Sequence, residues 1–245
     1  RSLAIAAAVL IVGSVAAVDP WGWAPYGPLR WALVSTVGML IATLLVAGGP
    51  LRFHKPSALG WLAFLVWGAV AGIAALDPLY TWIGTPDRHM GLFTVGLFAV
   101  MFLAGQQVTE RRSIMTLLKA AVVALGIIGI YTLLEIADLA PVTVATPSGR
   151  PGGPYGTAAY LGAACTLLLP IAAGAVVDGL DSLRWKYAAV AASGLGAFAA
   201  LAAQTRAGWV GIAVAAAVAL PATWQWLRRN LVVTTAVAVG LILIA

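Results

Sequence analysis

The chain alternates between long apolar runs and short polar connections. A helix needs about 20 apolar residues to cross a hydrocarbon core of about 30 Å, and most of these runs approach that length. They lack the residue-by-residue alternation of barrel strands. The pattern predicts an all-α, polytopic membrane helical bundle of about eight full spans plus part of a ninth, forming a single transmembrane domain over 1–245. The predicted spans lie at about 3–18, 31–48, 58–76, 90–106, 113–136, 157–177, 187–203 and 207–223, and the ninth begins at 231.

Composition agrees with a membrane-embedded chain. Hydrophobic residues make up 62% and charged residues 9%, whereas soluble domains carry roughly 25% charged residues. The net charge of +6 comes without a basic cluster interleaved with aromatics, so we expect no nucleic-acid partner. A single cysteine, Cys165, excludes an internal disulfide and a multi-cysteine metal site. The chain begins at Arg1 and ends within an apolar run, which indicates a fragment cut at both ends.

The distribution of lysine and arginine predicts the orientation. Cytoplasmic loops of membrane proteins are enriched in these residues. Four loops hold two basic residues each, and the loops between them hold one each. The first set therefore contains eight basic residues and the second set four. The richer set is therefore predicted to be cytoplasmic, in an inner (cytoplasmic) membrane. Its loops lie near 52–55, 111–112, 184–186 and 228–229, and the single outer residues are Arg30, Arg88, Arg150 and Arg206.

The outer arginines carry the candidate chemistry. Each stands at or before the outer end of an inward-running span, where a helix N-terminus exposes unpaired N–H groups and a positive partial charge. A phosphate would be bound by both the helix end and the guanidinium. Arg30 and Arg88 share their loops with acids, so surface ion pairs also explain them. Arg206 has no acid in its short loop, and an interfacial anchor is the alternative there.

Arg150 lies in a loop rich in proline and glycine. Glycines allow a backbone to approach a ligand closely. The loop has the glycine density of a phosphate loop but lacks the Gly-Lys-Ser/Thr ending and a preceding strand. Glu135 and Asp138 precede it, and we expect at least one of them to orient Arg150 or to lie near an acceptor.

Three short motifs resemble those of one known family. They are Arg150-Pro-Gly-Gly153-Pro-Tyr-Gly-Thr157-Ala-Ala-Tyr160-Leu-Gly, then Thr205-Arg206-Ala-Gly-Trp209, and, earlier, Asp87-Arg88-His-Met-Gly91-Leu92. In this order they are similar to motifs of the O-antigen ligase and O-antigen polymerase family. This chain departs from the pattern where Thr157 and Ala159 replace two asparagines and where Thr205 replaces a serine.

The resemblance implies a C-type membrane glycosyltransferase that works without metal or cofactor. Such an enzyme transfers a glycan from a polyprenyl (undecaprenyl) diphosphate donor to a glycan or lipid acceptor, on the extracytoplasmic face of the bilayer, in cell-envelope polysaccharide biosynthesis. The family's essential arginines match Arg150 and Arg206, which we predict to be catalytic, and its base lies beyond residue 245. The predicted substrate-binding residues are Arg88, Gly153, Thr157, Tyr160 and Thr205. A repeat-unit polymerase of the same family and a transporter of small anions are the alternatives.

Overall fold

The computed structural model describes residues 1–21, 25–75, 77–85, 89–142, 149–176, 182–206, 208–210, 212–213 and 228. Within these ranges the chain is helical and contains no strand, which confirms the predicted all-α class. It divides into two compact units, residues 1–117 and 118–245, and each is described by itself. The predicted ninth span and most of the eighth lie outside the described residues.

The first unit contains five helices and the beginning of a sixth. Proline in the first turn opens α2, α3 and α4, because the missing N–H is not needed there. The short α4 lies in a connection that the hydropathy pattern treats as a loop, and the Asp77 carboxylate caps it by accepting the Tyr80 N–H at 3.3 Å. The bounds are α1 Ser2–Ala16, α2 Pro28–Ala47, α3 Lys55–Ile73, α4 Pro78–Ile83, α5 Leu92–Gln107 and α6 Arg111–Ile136.

Packing in the first unit joins α1, α2 and α5. A buried cluster of Ala6, Ile41, Leu45 and Ala104 lies at their contact. The connection from α2 to α3 is held by amide side chains at the end of α5, since the Arg52 N–H donates to Gln107 and the His54 N–H donates to Gln106.

The second unit contains the rest of α6, α7 (Ala158–Gly174) and α8 (Leu183–Ala202), with a 3₁₀ turn at Gly153–Tyr155 before α7. The α6 and α8 helices approach closely where glycines face leucines. A Cβ on Gly129 would overlap Leu195, and one on Gly196 would overlap Leu125. Small residues allow this approach without polar contacts between the helices.

Among the described residues, three helices are long and apolar enough to cross a membrane: α2, α3 and α6. The α1, α5 and α7 helices are apolar but shorter. Large apolar side chains such as Leu62, Phe64 and Trp67 are exposed along α3, as expected of a surface that faces lipid. The structure thus supports a membrane protein with three candidate spans, and the count of eight remains a prediction.

Candidate functional site

The side chain of Arg150 reaches the C-terminal end of α8. Its Nη1 donates to the carbonyl of Gln204 at 3.1 Å, across 54 positions of sequence. The last carbonyls of a helix have no partner within the helix and carry a negative partial charge. Arg150 therefore stabilises a helix C-terminus, in addition to preceding the N-terminus of α7 as its sequence position predicts.

Gln204 has an unusual backbone conformation that directs this carbonyl. Its φ is +48°, in the left-handed region that glycine or asparagine usually occupies after a helix. Its N–H donates to the Leu201 carbonyl at 3.0 Å, which closes the last turn of α8. A left-handed conformation costs a non-glycine residue roughly 1–2 kcal/mol, so the surrounding contacts must stabilise it.

The glycine turn after Arg150 holds a carboxylate of the protein itself. Oε1 of Glu135 accepts the Gly152 N–H at 3.1 Å, and Oε2 accepts the Gly153 N–H at 2.6 Å. Gly152 is right-handed, with a φ of −95°, and Gly153 is left-handed, with a φ of +57°. Two successive N–H groups in this pair of conformations form an anion-binding concavity called a nest. The nest is filled by Glu135, from the last turn of α6.

Close packing fixes the turn further. A Cβ on Gly153 would lie 2.8 Å from Leu161 Cδ1 and 3.2 Å from Thr132 Oγ1. Gly156, with a φ of +70°, ends the 3₁₀ turn and leads into α7. The turn thus packs between α6 and α7, and a Cβ at position 153 would require Leu161 to shift in addition to holding a positive φ.

A second glycine contact joins α7 to the segment that carries Arg206. A Cβ on Gly162 would overlap the Thr205 hydroxyl, and a Cβ on Gly208 would lie 2.6 Å from the same oxygen. The Thr166 hydroxyl lies 2.9 Å from the Gly162 carbonyl and 3.3 Å from the Gly208 carbonyl. The Thr205 hydroxyl is buried and makes no hydrogen bond to the described residues.

Arg206 is exposed and lies in a first helical turn, because the Thr205 carbonyl accepts the Trp209 N–H at 3.1 Å. A cation in a first turn is opposed by the helix dipole. Its guanidinium makes no hydrogen bond that involves the described residues. Arg206 is therefore an exposed cation at the start of a helical turn.

The structure places six of the seven predicted site residues, four of them in two connected groups. Arg150 and Gly153 belong to the Glu135 turn, and the Arg150–Gln204 bond brings that turn to the segment of Thr205 and Arg206. Thr157 is the exposed residue before α7, and its side chain does not cap the helix. Tyr160 is 57% exposed in the first turn of α7. The seventh, Arg88, lies outside the described residues.

Two residues of this site were missed by sequence reasoning, Gln204 and Thr166. Gln204 acts through its main-chain carbonyl, for which a sequence carries no signal. Thr166 stands one helical turn after Gly162, and a hydroxyl at that spacing often bonds to the preceding turn of its own helix. Only the fold reveals that Gly208 lies within reach as well.

A separate polar cluster lies in the first unit. The Trp31 and His89 rings stack at 4.6 Å with an interplanar angle of 28°. Thr94 Oγ1 accepts from Trp31 Nε1 at 3.4 Å and donates to the His89 carbonyl at 2.5 Å. Nearby, Arg30 Nη2 donates to the Ala17 carbonyl after α1 at 3.4 Å. The left-handed His89, whose φ is +50°, is thus packed within this cluster.

Comparison of the chain with family models, with curated proteins and with solved structures finds no match. The resemblance to the O-antigen ligase family therefore depends on the three motifs alone.

Proposed function

We propose that this chain belongs to a membrane glycosyltransferase that uses a polyprenyl-diphosphate-linked glycan. The observation that carries the proposal is the bond from Arg150 to the Gln204 carbonyl. It brings one motif arginine to a residue two positions before the other, although the two motifs are far apart in sequence. Two guanidinium groups at one end of a helical unit match the charge of a diphosphate.

In this proposal Arg150 and Arg206 bind the donor diphosphate and stabilise the negative charge that develops on the leaving group. Arg150 is partly fixed by its carbonyl partner, whereas Arg206 is exposed. The glycine turn supplies rigidity and not a phosphate cradle, because Glu135 already occupies its N–H groups. The acceptor hydroxyl is deprotonated by a general base.

The test is transfer from a polyprenyl-diphosphate-linked glycan by the detergent-purified full-length protein. Arg206→Ala is expected to lose about 2–4 kcal/mol of transition-state stabilisation, roughly 30- to 1000-fold in rate. Arg206→Lys keeps the charge but loses the bidentate geometry, so it should also lose much of the activity. Thermal stability is measured in parallel and should hardly change, because Arg206 is exposed.

Arg30→Ala is the control, since Arg30 is also a predicted outer arginine but lies in the first unit, where its side chain donates to the Ala17 carbonyl. It should keep its rate of transfer. Turnover by Arg206→Ala close to that of the unaltered protein would contradict the proposal and leave Arg206 as an interfacial anchor.

The same experiment separates the alternatives. A ladder of longer glycans would indicate a repeat-unit polymerase, whereas a single product on a lipid acceptor indicates a ligase. Uptake of phosphate into proteoliposomes that requires Arg206, without any transfer, would indicate an anion transporter.

A further inference from the structure

The Glu135 carboxylate lies where an acid is unfavourable on its own helix. It occupies the last turn of α6, next to the negative end of the helix dipole. The N–H groups of Gly152 and Gly153 offset this unfavourable interaction, because they donate to the Glu135 carboxylate at 3.1 and 2.6 Å. Hydrogen bonds to an ionised acceptor are roughly twice as strong as neutral ones. These two hydrogen bonds therefore stabilise both the Glu135 carboxylate and the glycine turn.

The turn leads directly back to Arg150, which is only two residues before Gly152. Between them Pro151 restricts the backbone, because its ring fixes φ near −65°. On its other side, Arg150 bonds to the Gln204 carbonyl. A continuous set of contacts thus connects Glu135 to the segment of Arg206.

We propose that Glu135 is a positioning residue: by filling the Gly152–Gly153 nest, its carboxylate fixes Arg150 on the Gln204 carbonyl beside Arg206. The consequence for a ligand rests on the proposed function, since it assumes that the arginine pair binds a diphosphate. Glutamine at this position would present at most one acceptor oxygen, and its NH₂ group would face an N–H donor. The turn would then lose one of its two bonds and hold Arg150 less firmly.

Asp138 provides a matched control. It is an acid at the same end of α6, and it is exposed. Asp138→Asn removes the same charge as Glu135→Gln without removing a bond to the glycine turn. Any effect of general electrostatics should therefore appear in both variants, and an effect of the nest only in Glu135→Gln.

The first measurement is hydrogen–deuterium exchange, which needs no ligand. In Glu135→Gln, amides of 149–157 are expected to exchange about tenfold faster or more, since local opening is set by such bonds. Peptides from α7 and α8 should keep their protection, which verifies the fold. Asp138→Asn should exchange like the unaltered protein. Unchanged protection of 149–157 in Glu135→Gln would overturn the proposal.

The second measurement is binding of farnesyl diphosphate to the same purified proteins, with farnesol as the uncharged comparison. A displaced Arg150 should weaken binding about 10- to 100-fold, the size of effect that small misplacements produce. Faster exchange in Glu135→Gln with unweakened binding would also overturn the proposal. If the unaltered protein prefers farnesyl diphosphate no more than farnesol, the proposed function fails, and the exchange result alone decides the role of Glu135.

Should Glu135→Gln fail to fold, Glu135→Asp replaces it. Aspartate keeps the charge but is one methylene shorter, so it can reach one N–H group more readily than both. Exchange of 149–157 and binding of farnesyl diphosphate should then change in the same direction by a smaller factor. No change in either quantity would overturn the proposal.

Discussion

Arg30 in the first unit and Arg150 in the second donate to the same kind of partner, a carbonyl at the C-terminal end of a helix. Arg30 bonds to Ala17 at 3.4 Å across 13 positions, within one helical hairpin. Arg150 bonds to Gln204 at 3.1 Å across 54 positions, and its partner is a left-handed glutamine.

The comparison shows what an outer arginine does and does not indicate. In both units the guanidinium stabilises a helix C-terminus, so its position ahead of the next helix needs no anion to explain it. The second unit differs in two respects. Arg206 lies two residues beyond the Gln204 carbonyl, and Glu135 holds the glycine turn. The proposal of a ligand therefore rests on the arginine pair and not on either residue alone.

The largest expected effect is on thiol labelling from the two sides of the membrane. It tests whether Trp21 and Thr157 are reached from the same side. Trp21 is 93% exposed and Thr157 is exposed. Trp21→Cys and Thr157→Cys should react with an impermeant thiol reagent added outside, and Ser182→Cys should react only after permeabilisation. The native Cys165 is fully buried and should give little background. Labelling of Trp21→Cys and Thr157→Cys from opposite sides would contradict the predicted outer location of both residues.

A smaller effect, on the free energy of unfolding, is expected from substitutions in and next to the glycine turn. Gly149 and Gly153 both have positive φ, +63° and +57°. A Cβ on Gly149 meets no atom of the described part of the chain within 4 Å, whereas one on Gly153 meets Leu161. Gly149→Ala should lower the free energy of unfolding by about 1–2 kcal/mol. Gly153→Ala should lower it by about 1–3 kcal/mol more, because overpacking is added. Equal losses in denaturant titrations would show that the turn is not packed against α7.

The smallest effect on the free energy of unfolding is expected from substitutions of Gln204 and His89, two residues with positive φ. Gln204→Gly should raise the free energy of unfolding by about 0.5–1 kcal/mol, since the strain is relieved and the carbonyl that Arg150 uses is retained. His89→Gly should not be stabilising, because it loses the stacked contact with Trp31, worth about 0.5–1.5 kcal/mol. A loss of stability in Gln204→Gly would show that the glutamine side chain, and not its carbonyl, matters.

Much of the helical layout was predictable, because apolar runs must form helices where backbone groups lack water. The predicted run at 113–136 corresponds to α6, Arg111–Ile136. The α4 helix was missed although Asp77-Pro78 is a recognisable start, an N-cap acid followed by proline at the first helical position. Its six residues are too few for a hydropathy pattern to detect.

Residue patterns alone were enough to predict the membrane class, the all-α fold and the motifs that contain Arg150 and Arg206. It also suggested that Glu135 or Asp138 would lie near Arg150, from charge and helix position alone. Only the tertiary structure decided that Glu135 fills the glycine nest and that Arg150 bonds to Gln204. Both contacts involve main-chain groups of distant segments, and every residue carries such groups regardless of its side chain. A sequence pattern therefore cannot specify which of them will meet.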